Sequence, residues 1–248
     1  MTIESEYDLE QLKVIGHIVA VTLKEMMSRA EPGMSTVELD LIGKNLLEQY
    51  DANSAPKLSY NFPGYTCISI NEEAAHGIPG NRVIQPGDVI NIDVSAEKNG
   101  YFADTGGTFV VPPCSAAKKR LIVSAQNALK EAASVARAGQ PLNGIGKAIQ
   151  RVAKHSGFRV IKNLCSHGVG RSLHEEPKAI PGYYEPKDKR VLHEGLVITI
   201  EPFLSTKSQF VDQAEDGWTL LAHKGNLSAQ FEHTMVITKG EPILLTVA

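Results

Sequence analysis

Hydrophobic positions along much of the chain recur at the spacing of one helix face. The pattern predicts four helices, over residues 8–30, 35–50, 118–138 and 143–156. Ser35 and Glu38 have the spacing of a capping box, which marks where the second helix begins. Shorter apolar runs separated by glycine, proline and asparagine predict strands at residues 66–70, 82–95, 158–164, 196–201, 218–223 and 228–238.

The order of these elements repeats along the chain. Gly33 and Gly139 punctuate the two helix pairs at similar places, and the apolar run that ends at Asp93 resembles the run that ends at Glu201. A repeat of about a hundred residues is longer than the unit of a solenoid. It favours a pseudo-twofold domain with helices outside a sheet and a site between the halves, and the alternative is chance similarity between short segments.

The length and composition allow a substantial core. The chain has 248 residues, of which 42% are hydrophobic and 21% charged, and this suits one large domain or two small ones. We predict a single domain over residues 1–248, with an internal pseudo-repeat of roughly 8–110 and 118–238.

Charge and cysteine content exclude several classes of protein. A net charge of −3 gives no broad reason to expect nucleic acid or an anionic membrane as the main partner. Cys67, Cys114 and Cys165 are odd in number and far apart, so a disulfide framework is not expected. The acidic N-terminal segment has no apolar stretch of a signal peptide, and no apolar run reaches the roughly 18 residues of a membrane span. We expect a soluble, reduced, cytoplasmic protein.

Five acidic and imidazole side chains lie within or at the ends of apolar strand-like segments. They are Asp93, Asp104, His167, Glu201 and Glu232. An unpaired carboxylate is costly to bury, so buried carboxylates are usually paired, neutralised or bound to metal. The nearby strands offer too few lysines and arginines to pair four of them, and the sequence therefore predicts a site for two divalent cations.

Asp93 and Asp104 flank a turn signal at Asn99-Gly100. A four-residue loop would place Asp93 opposite Asp104, whereas a two-residue turn would place Asp93 opposite Gly106 with Asp104 on the diagonal. Either register leaves the two carboxylates on one face of the hairpin. Like charges so close favour a cation between them over the alternative of a solvated hairpin face.

Motifs of other enzyme classes are missing from the chain. There is no His-Glu-x-x-His zinc motif, no Gly-x-Ser-x-Gly elbow for a serine nucleophile and no phosphate-binding loop. The Gly168-Val169-Gly170 segment lacks the third glycine of a dinucleotide loop. A single imidazole among four carboxylates favours hard to borderline divalent ions over a thiolate zinc site.

Longer motifs around these residues support a family resemblance that covers essentially the whole chain. The motifs are Ile70–Pro79, Asn91–Thr105, Gly168–Pro177, Ile200–Pro202 and Gln230–Thr234. They resemble those of the type I methionine aminopeptidases, a metallopeptidase group that shares its fold with creatinase, prolidase and aminopeptidase P. The resemblance implies an α+β pita-bread fold, a pseudo-twofold repeat of helices packed on a curved, mostly antiparallel sheet.

The resemblance also implies how the metal ligands are shared. Asp93, Asp104 and Glu232 would serve one ion, and Asp104, His167, Glu201 and Glu232 the other, so that Asp104 and Glu232 bridge. Cobalt, manganese, iron and zinc all suit this donor set. A structural monovalent cation near Asn71 and Ser228 is a further, weaker implication.

The implied reaction is removal of the initiator methionine from newly made proteins with a small second residue. A hydroxide between the metals would attack the first peptide carbonyl, and the substrate amine on one metal would make the enzyme an exopeptidase. Glu201 resembles the family residue that moves a proton to the leaving nitrogen. His174 resembles the histidine that stabilises the tetrahedral intermediate, and His76 resembles the one that contacts substrate near the scissile bond.

A thioether side chain calls for a pocket of apolar, soft or aromatic groups. Phe62, Tyr65, Cys67 and Trp218 are the candidates by position. Leu173 stands where many relatives carry an aromatic residue, which would widen the pocket or loosen its selectivity.

Two other functions remain open at this stage. One is an Xaa-Pro peptidase or creatinase-like enzyme of the same fold, and the other is a binding module that has lost catalysis. The expected partners are the N-terminal methionine of nascent chains and the ribosome, with no nucleic acid substrate and no membrane. We expect a monomer.

Overall fold

A computed structural model describes all residues, 1–248, and contains five helices. They are α1 (Glu6–Arg29), α2 (Thr36–Gln49), α3 (Ala55–Tyr60), α4 (Ala116–Val135) and α5 (Asn143–Ser156). Four match the predicted helices within a few residues, and the Ser35–Glu38 capping box is present. Helix α3 was not predicted, because six residues are too short to display a helical period.

Fifteen strands complete the fold, of which only two reach ten residues. They are β1 (Asn53–Ser54), β2 (Cys67–Ile70), β3 (Glu73–Ala75), β4 (Val89–Lys98), β5 (Tyr101–Val110), β6 (Arg159–Val160), β7 (Cys165–Gly168), β8 (Glu175–Pro181), β9 (Val197–Ile200), β10 (Phe203–Ser205), β11 (Asp212–Gln213), β12 (Leu220–Leu221), β13 (Ser228–Gln230), β14 (His233–Val236) and β15 (Ile243–Leu244). All strand pairings are antiparallel.

Each half of the chain contributes a helix pair and a sheet. In the first half, α1 and α2 accompany a four-stranded sheet of β1, β4, β2 and β5. In the second half, α4 and α5 accompany a five-stranded sheet in the order β15-β14-β9-β7-β8. Of the two largest hydrophobic clusters, one has 25 buried residues, most of them from the first half, and the other has 21 buried residues, all of them from the second half.

Several predicted strands are shorter than the sequence pattern suggested. Residues 82–88 form a turn and extended segment, so the strand begins only at Val89. Segments 158–164 and 218–223 each yield only a two-residue strand. The placement of Glu232 within one long strand, at residues 228–238, was wrong. The chain leaves β13 at Gln230 and enters β14 at His233. Strand β13 pairs with β10 in a three-stranded sheet, whereas β14 pairs with β9 in the five-stranded sheet.

The β4–β5 hairpin adopts the two-residue turn. Asn99 and Gly100 both have positive φ, 55° and 76°, as a tight hairpin turn requires. Lys98 therefore pairs with Tyr101, and Asp93 faces Gly106. The register leaves Asp93 and Asp104 as diagonal neighbours on one face.

Threonine side chains join the two halves where β5 meets β14. Thr234 Oγ1 accepts a hydrogen bond from Asp104 N at 2.9 Å and donates to Asp104 O at 2.7 Å. Thr105 Oγ1 donates to Glu232 O at 2.9 Å. These bonds replace a regular ladder and fix Asp104 and Glu232 against each other.

None of the helices is long and apolar enough to cross a membrane.

Replacing Ile90 by alanine tests the first core. Ile90 is fully buried in β4, so the substitution should lower the free energy of unfolding by about 2–5 kcal/mol. Urea denaturation measures the loss, and Val14→Ala, at a position 42% exposed on α1, is the control that should stay within about 0.5 kcal/mol of the parent. Equal effects of the two substitutions would contradict this assignment of the core.

Candidate metal centre and substrate cavity

The five predicted ligands converge from separate elements of both halves. Asp93 lies in β4 and Asp104 in β5, while His167 lies in β7. Glu201 directly follows β9, and Glu232 lies in the break between β13 and β14. All except the half-buried Asp93 are at most 9% exposed. The fold therefore gathers four carboxylates and one imidazole in its interior.

Distances within the cluster suit a shared cation. His167 Nε2 lies 3.4 Å from Glu201 Oε1 and 3.9 Å from Asp104 Oδ2. Asp104, His167 and Glu232 each offer a ligand atom within 4.8 Å of the other two. No lysine or arginine forms an ion pair with any of the carboxylates.

Two buried oxygens of the cluster have no hydrogen-bond partner, Asp104 Oδ1 and Glu232 Oε1. Such atoms are rare in protein interiors because leaving them unpaired costs about 1–3 kcal/mol each. They belong to the two carboxylates that the family resemblance makes bridging ligands. The residues present therefore fit a divalent metal centre.

Burial shifts the pKa of every side chain in the cluster in the direction that favours its neutral form. Burial, reinforced by neighbouring acids, raises the pKa of Asp104, Glu201 and Glu232 well above the usual carboxyl range. Burial raises the pKa of Asp93 to about 6 and lowers that of His167 to about 3. A neutral imidazole is the form that binds metal, and divalent cations would offset the carboxylate charges.

Local hydrogen bonds orient the ligands. His167 Nδ1 lies 3.0 Å from Gly168 O, so an N–H there directs a free Nε2 toward Glu201 and Asp104. Glu201 N donates to Ser166 Oγ at 2.9 Å, and Gln230 Nε2 donates to Glu232 Oε2 at 2.9 Å.

A cavity of about 440 Å³ opens beside the cluster. Asp93, Asp104, His167 and Glu201 line one part of it. Much of the remaining wall is apolar or aromatic, namely Pro56, Tyr60, Phe62, Leu164, Leu173, Phe203, Trp218 and Leu220. Phe62 and Trp218 pack edge to face, with ring centroids 5.2 Å apart. The cavity thus joins a polar reaction zone to an apolar pocket.

Both predicted catalytic histidines line this cavity and are open to its solvent. His174 lies just before β8, and its ring centroid is 4.1 Å from that of His167. His76 follows β3 and has a positive φ of 55°. Desolvation by the surrounding protein lowers the pKa of both imidazoles, which favours their neutral forms.

The predicted pocket residues are only partly brought together. Phe62, Cys67 and Trp218 line the cavity, and Cys67 pairs across the strands with Asp93. Tyr65 does not line it. Its ring instead contacts the ammonium groups of Lys57 and Lys44, which lie 4.5 and 5.5 Å from its centroid.

The monovalent-cation site stays a prediction. Ser228 Oγ is buried without a hydrogen-bond partner. The side chain of Asn71 is already engaged, since Oδ1 accepts from Val89 N and Nδ2 donates to Asp88.

Sequence reasoning missed Tyr60, Leu164, Phe203 and Leu220 as cavity residues. Tyr60 ends the unpredicted helix α3, and the others belong to loops or strands of two or three residues. Leu164 and Leu220 lie in segments predicted as strands, but each segment yields only a two-residue strand, so the side chains that point inward follow only from the folded chain.

A larger groove of about 980 Å³ runs along α5. Its lining contains Lys147, Arg151, Lys154, Arg159 and Lys162 but no carboxylate, histidine or cysteine. It offers no metal ligands, so the smaller cavity is the candidate reaction site.

Known proteins of the same architecture are numerous. The model of metallopeptidase family M24 matches residues 10–239. Methionine aminopeptidase 2 of Bacillus subtilis is 48% identical over 247 residues, covering 99% of each chain. A crystal structure of methionine aminopeptidase from Thermotoga maritima superposes with a TM-score of 0.95 at 32% identity over the whole of both chains. Prolidase from Pyrococcus furiosus, 22% identical, has a TM-score of 0.78 over 100% of this chain and 66% of its own, which shows a shared fold.

A carboxylate and imidazole cluster beside an apolar cavity, in this fold, defines a metal-dependent hydrolase. The chain belongs to metallopeptidase family M24. The resemblance predicted from the sequence motifs and the α+β pita-bread fold are both confirmed.

Replacing Glu232 by glutamine tests the electrostatics of the cluster. Because the folded-state pKa of Glu232 is raised, the native chain holds a proton that the unfolded chain releases near pH 4. Metal-free stability is therefore lost as pH rises above the unfolded pKa. The variant cannot ionise there, so its stability relative to the parent should increase from pH 5 to pH 8 by about 1 kcal/mol or more.

Urea denaturation in chelator at the two pH values measures this difference, in which the contribution of His167 largely cancels. The exposed Glu241→Gln is the matched control and should show no such trend. A constant difference between Glu232→Gln and the parent would contradict the buried, charge-crowded environment. Added divalent cation should stabilise the parent more than the variant.

Proposed function

We propose that the chain is a dinuclear-metal aminopeptidase that removes the initiator methionine from newly made proteins and peptides with a small second residue. One observation carries the proposal, namely the buried ligand cluster with its unpaired Asp104 and Glu232 oxygens beside an apolar cavity. The relatives named methionine aminopeptidase, matched over nearly their full length, support the same substrate.

The ligand cluster would hold two divalent cations. Asp93, Asp104 and Glu232 would bind one, and Asp104, His167, Glu201 and Glu232 the other. When bound, such ions supply Lewis-acid chemistry, lowering the pKa of water and polarising a carbonyl. Cobalt, manganese, iron and zinc suit the donors, and the reaction needs no nucleophile from the protein.

The residues of the chain position the peptide and move its protons. Glu201, which is buried yet lines the cavity, would accept a proton from water and deliver it to the leaving nitrogen. His174 would donate a hydrogen bond to the oxygen on which negative charge develops. His76 would contact the peptide near the scissile bond.

The apolar wall accounts for methionine. Phe62, Trp218 and Cys67 would contact an unbranched thioether, for which aromatic and sulfur groups are suitable partners. Leu173 is 4% exposed and lines the wall at the position where the family resemblance implies an aromatic ring. The smaller side chain leaves more room and would relax selectivity.

The free amine of the substrate would lie at the acidic end of the cavity, which makes the enzyme an exopeptidase. We propose that it works in the cytoplasm as a monomer on nascent chains, near the ribosome. Nucleic acid and membrane would play no part as substrates.

Hydrolysis of Met-Ala-Ser measures this function. Chelation should abolish it, and separate additions of cobalt, manganese, iron and zinc should restore it to different extents. Asp104→Asn removes a shared ligand, so activity should fall more than about a hundredfold. The exposed Asp212→Asn is the control, and elemental analysis should find two ions in the parent and fewer in Asp104→Asn.

Two outcomes would overturn the proposal in different ways. Cleavage of Ala-Pro in preference to Met-Ala-Ser would indicate an Xaa-Pro peptidase. Binding of metal with cleavage of neither peptide would indicate a binding module.

Removing the indole of Trp218 tests the side-chain pocket. Trp218→Ala takes away the ring that packs on Phe62, so KM for Met-Ala-Ser should rise about tenfold or more while metal content stays unchanged. Steady-state kinetics measure the change, with Phe210→Ala, at a position 57% exposed and outside the cavity lining, as control. An unchanged KM would place the methionine side chain elsewhere.

A further inference from the structure

We propose that Tyr60 is a positioning residue that fixes the tautomer of His174. Its phenol would hold the Nδ1 side of the ring so that the Nε2 side presents an N–H to the substrate. The inference rests on the proposed function, because it deepens the role given there to His174. It begins from one contact, in which Tyr60 Oη lies 2.7 Å from His174 Nδ1.

Neither the Tyr60 hydroxyl nor the His174 imidazole has another hydrogen-bond partner within the chain. The Tyr60 hydroxyl makes no second hydrogen bond, and His174 Nε2 makes none with protein. A neutral imidazole carries one N–H and one acceptor nitrogen, and the bond made by one nitrogen decides the state of the other. A phenol O–H that donates to Nδ1 therefore places the ring proton on Nε2.

The reverse arrangement is disfavoured by what the cavity must do. If Nδ1–H donated to the phenol oxygen, Nε2 would be a bare acceptor. A bare acceptor would repel the carbonyl oxygen on which negative charge develops, whereas an N–H stabilises it. The ring is also held on its other side, since its centroid lies 4.1 Å from that of the buried His167.

The segment that carries Tyr60 is firmly anchored, although the tyrosine itself is 46% exposed at the cavity. Tyr60 ends α3, and Asn61 closes the helix in the left-handed region by donating to Lys57 O at 3.0 Å. The following chain is tied to the buried Asp40, whose carboxylate accepts from Tyr65 N at 3.1 Å and from Thr66 N at 2.8 Å. A phenol on so rigid a segment fixes its partner at little entropic cost.

The loop that carries His174 is ordered from its own side. Glu175 accepts hydrogen bonds from Arg171 N and from Ser172 N, the latter at 2.8 Å. Ser172 Oγ donates to His174 O at 3.1 Å. These bonds fix the backbone but involve neither nitrogen of the imidazole, so Tyr60 is the protein group that sets the hydrogen-bonding state of the ring.

Replacing Tyr60 by phenylalanine removes the hydroxyl and keeps the ring. In the metal-loaded chain, Tyr60→Phe should lower kcat for Met-Ala-Ser about threefold to tenfold, the effect of one hydrogen bond, and leave KM within about twofold. In a His174→Ala background the same change should have no further effect. Tyr184→Phe is the matched control, because Tyr184 is similarly exposed at 43% and lies outside the lining of this cavity.

Nitrogen NMR of the histidine-labelled, zinc-loaded chain gives a readout that does not depend on activity. In the parent, His174 should show a protonated Nε2 and an acceptor Nδ1, and Tyr60→Phe should give a mixture of tautomers. A parent ring protonated on Nδ1, or a loss of kcat that persists without His174, would overturn the inference. Failure of the parent to cleave Met-Ala-Ser would instead overturn the proposed function, while the tautomer assignment would still be decided by the spectrum.

Discussion

Negative charge in the interior is the constraint on which the rest of this structure depends. Four carboxylates and one imidazole are packed together without a single lysine or arginine partner. Their burial raises the pKa values of Asp104, Glu201 and Glu232, which measures how strongly the protein alone opposes their negative charge. A fold that keeps such groups close in spite of the cost is organised to bind cations, because a bound cation attracts the carboxylates that otherwise repel one another.

The same constraint explains why the site lies between the two halves. Neither sheet alone supplies enough ligands, since Asp93 and Asp104 come from the first and His167, Glu201 and Glu232 from segments of the second half. Thr105 and Thr234 bind the backbone at this junction through their side chains. The irregular pairing frees Glu232 from a continuous strand, and its carboxylate reaches the centre. The contacts that hold the two halves together therefore also assemble the site.

The part of the site set by local spacing could be predicted from sequence. The Asn99-Gly100 turn fixes the hairpin register, and this places Asp93 and Asp104 on one face whichever loop length is used. The cavity wall depends on long-range packing, which local patterns do not encode. Tyr65 was expected to face the substrate, yet Lys57 and Lys44 cover its ring, and Tyr60, five residues earlier, lies in the wall instead. Glu232 likewise appeared to continue a strand, because the change of pairing partner leaves no mark in the hydrophobic pattern.

The cavity has a charged side and an apolar, aromatic side, and each side changes the properties of the other. Aromatic side chains such as Phe62 and Trp218 exclude water, which lowers the local dielectric and strengthens every charge and dipole beside them. A histidine in such surroundings acts through its neutral form, so the position of its one proton becomes decisive. Hydrogen bonds with groups outside the ligand set, such as the one that His167 Nδ1 donates to Gly168 O and the one between the Tyr60 hydroxyl and His174 Nδ1, then determine what the metal-binding and substrate-facing nitrogens offer. Control of a few protons by the surrounding chain is thus as much a part of the site as the carboxylates themselves.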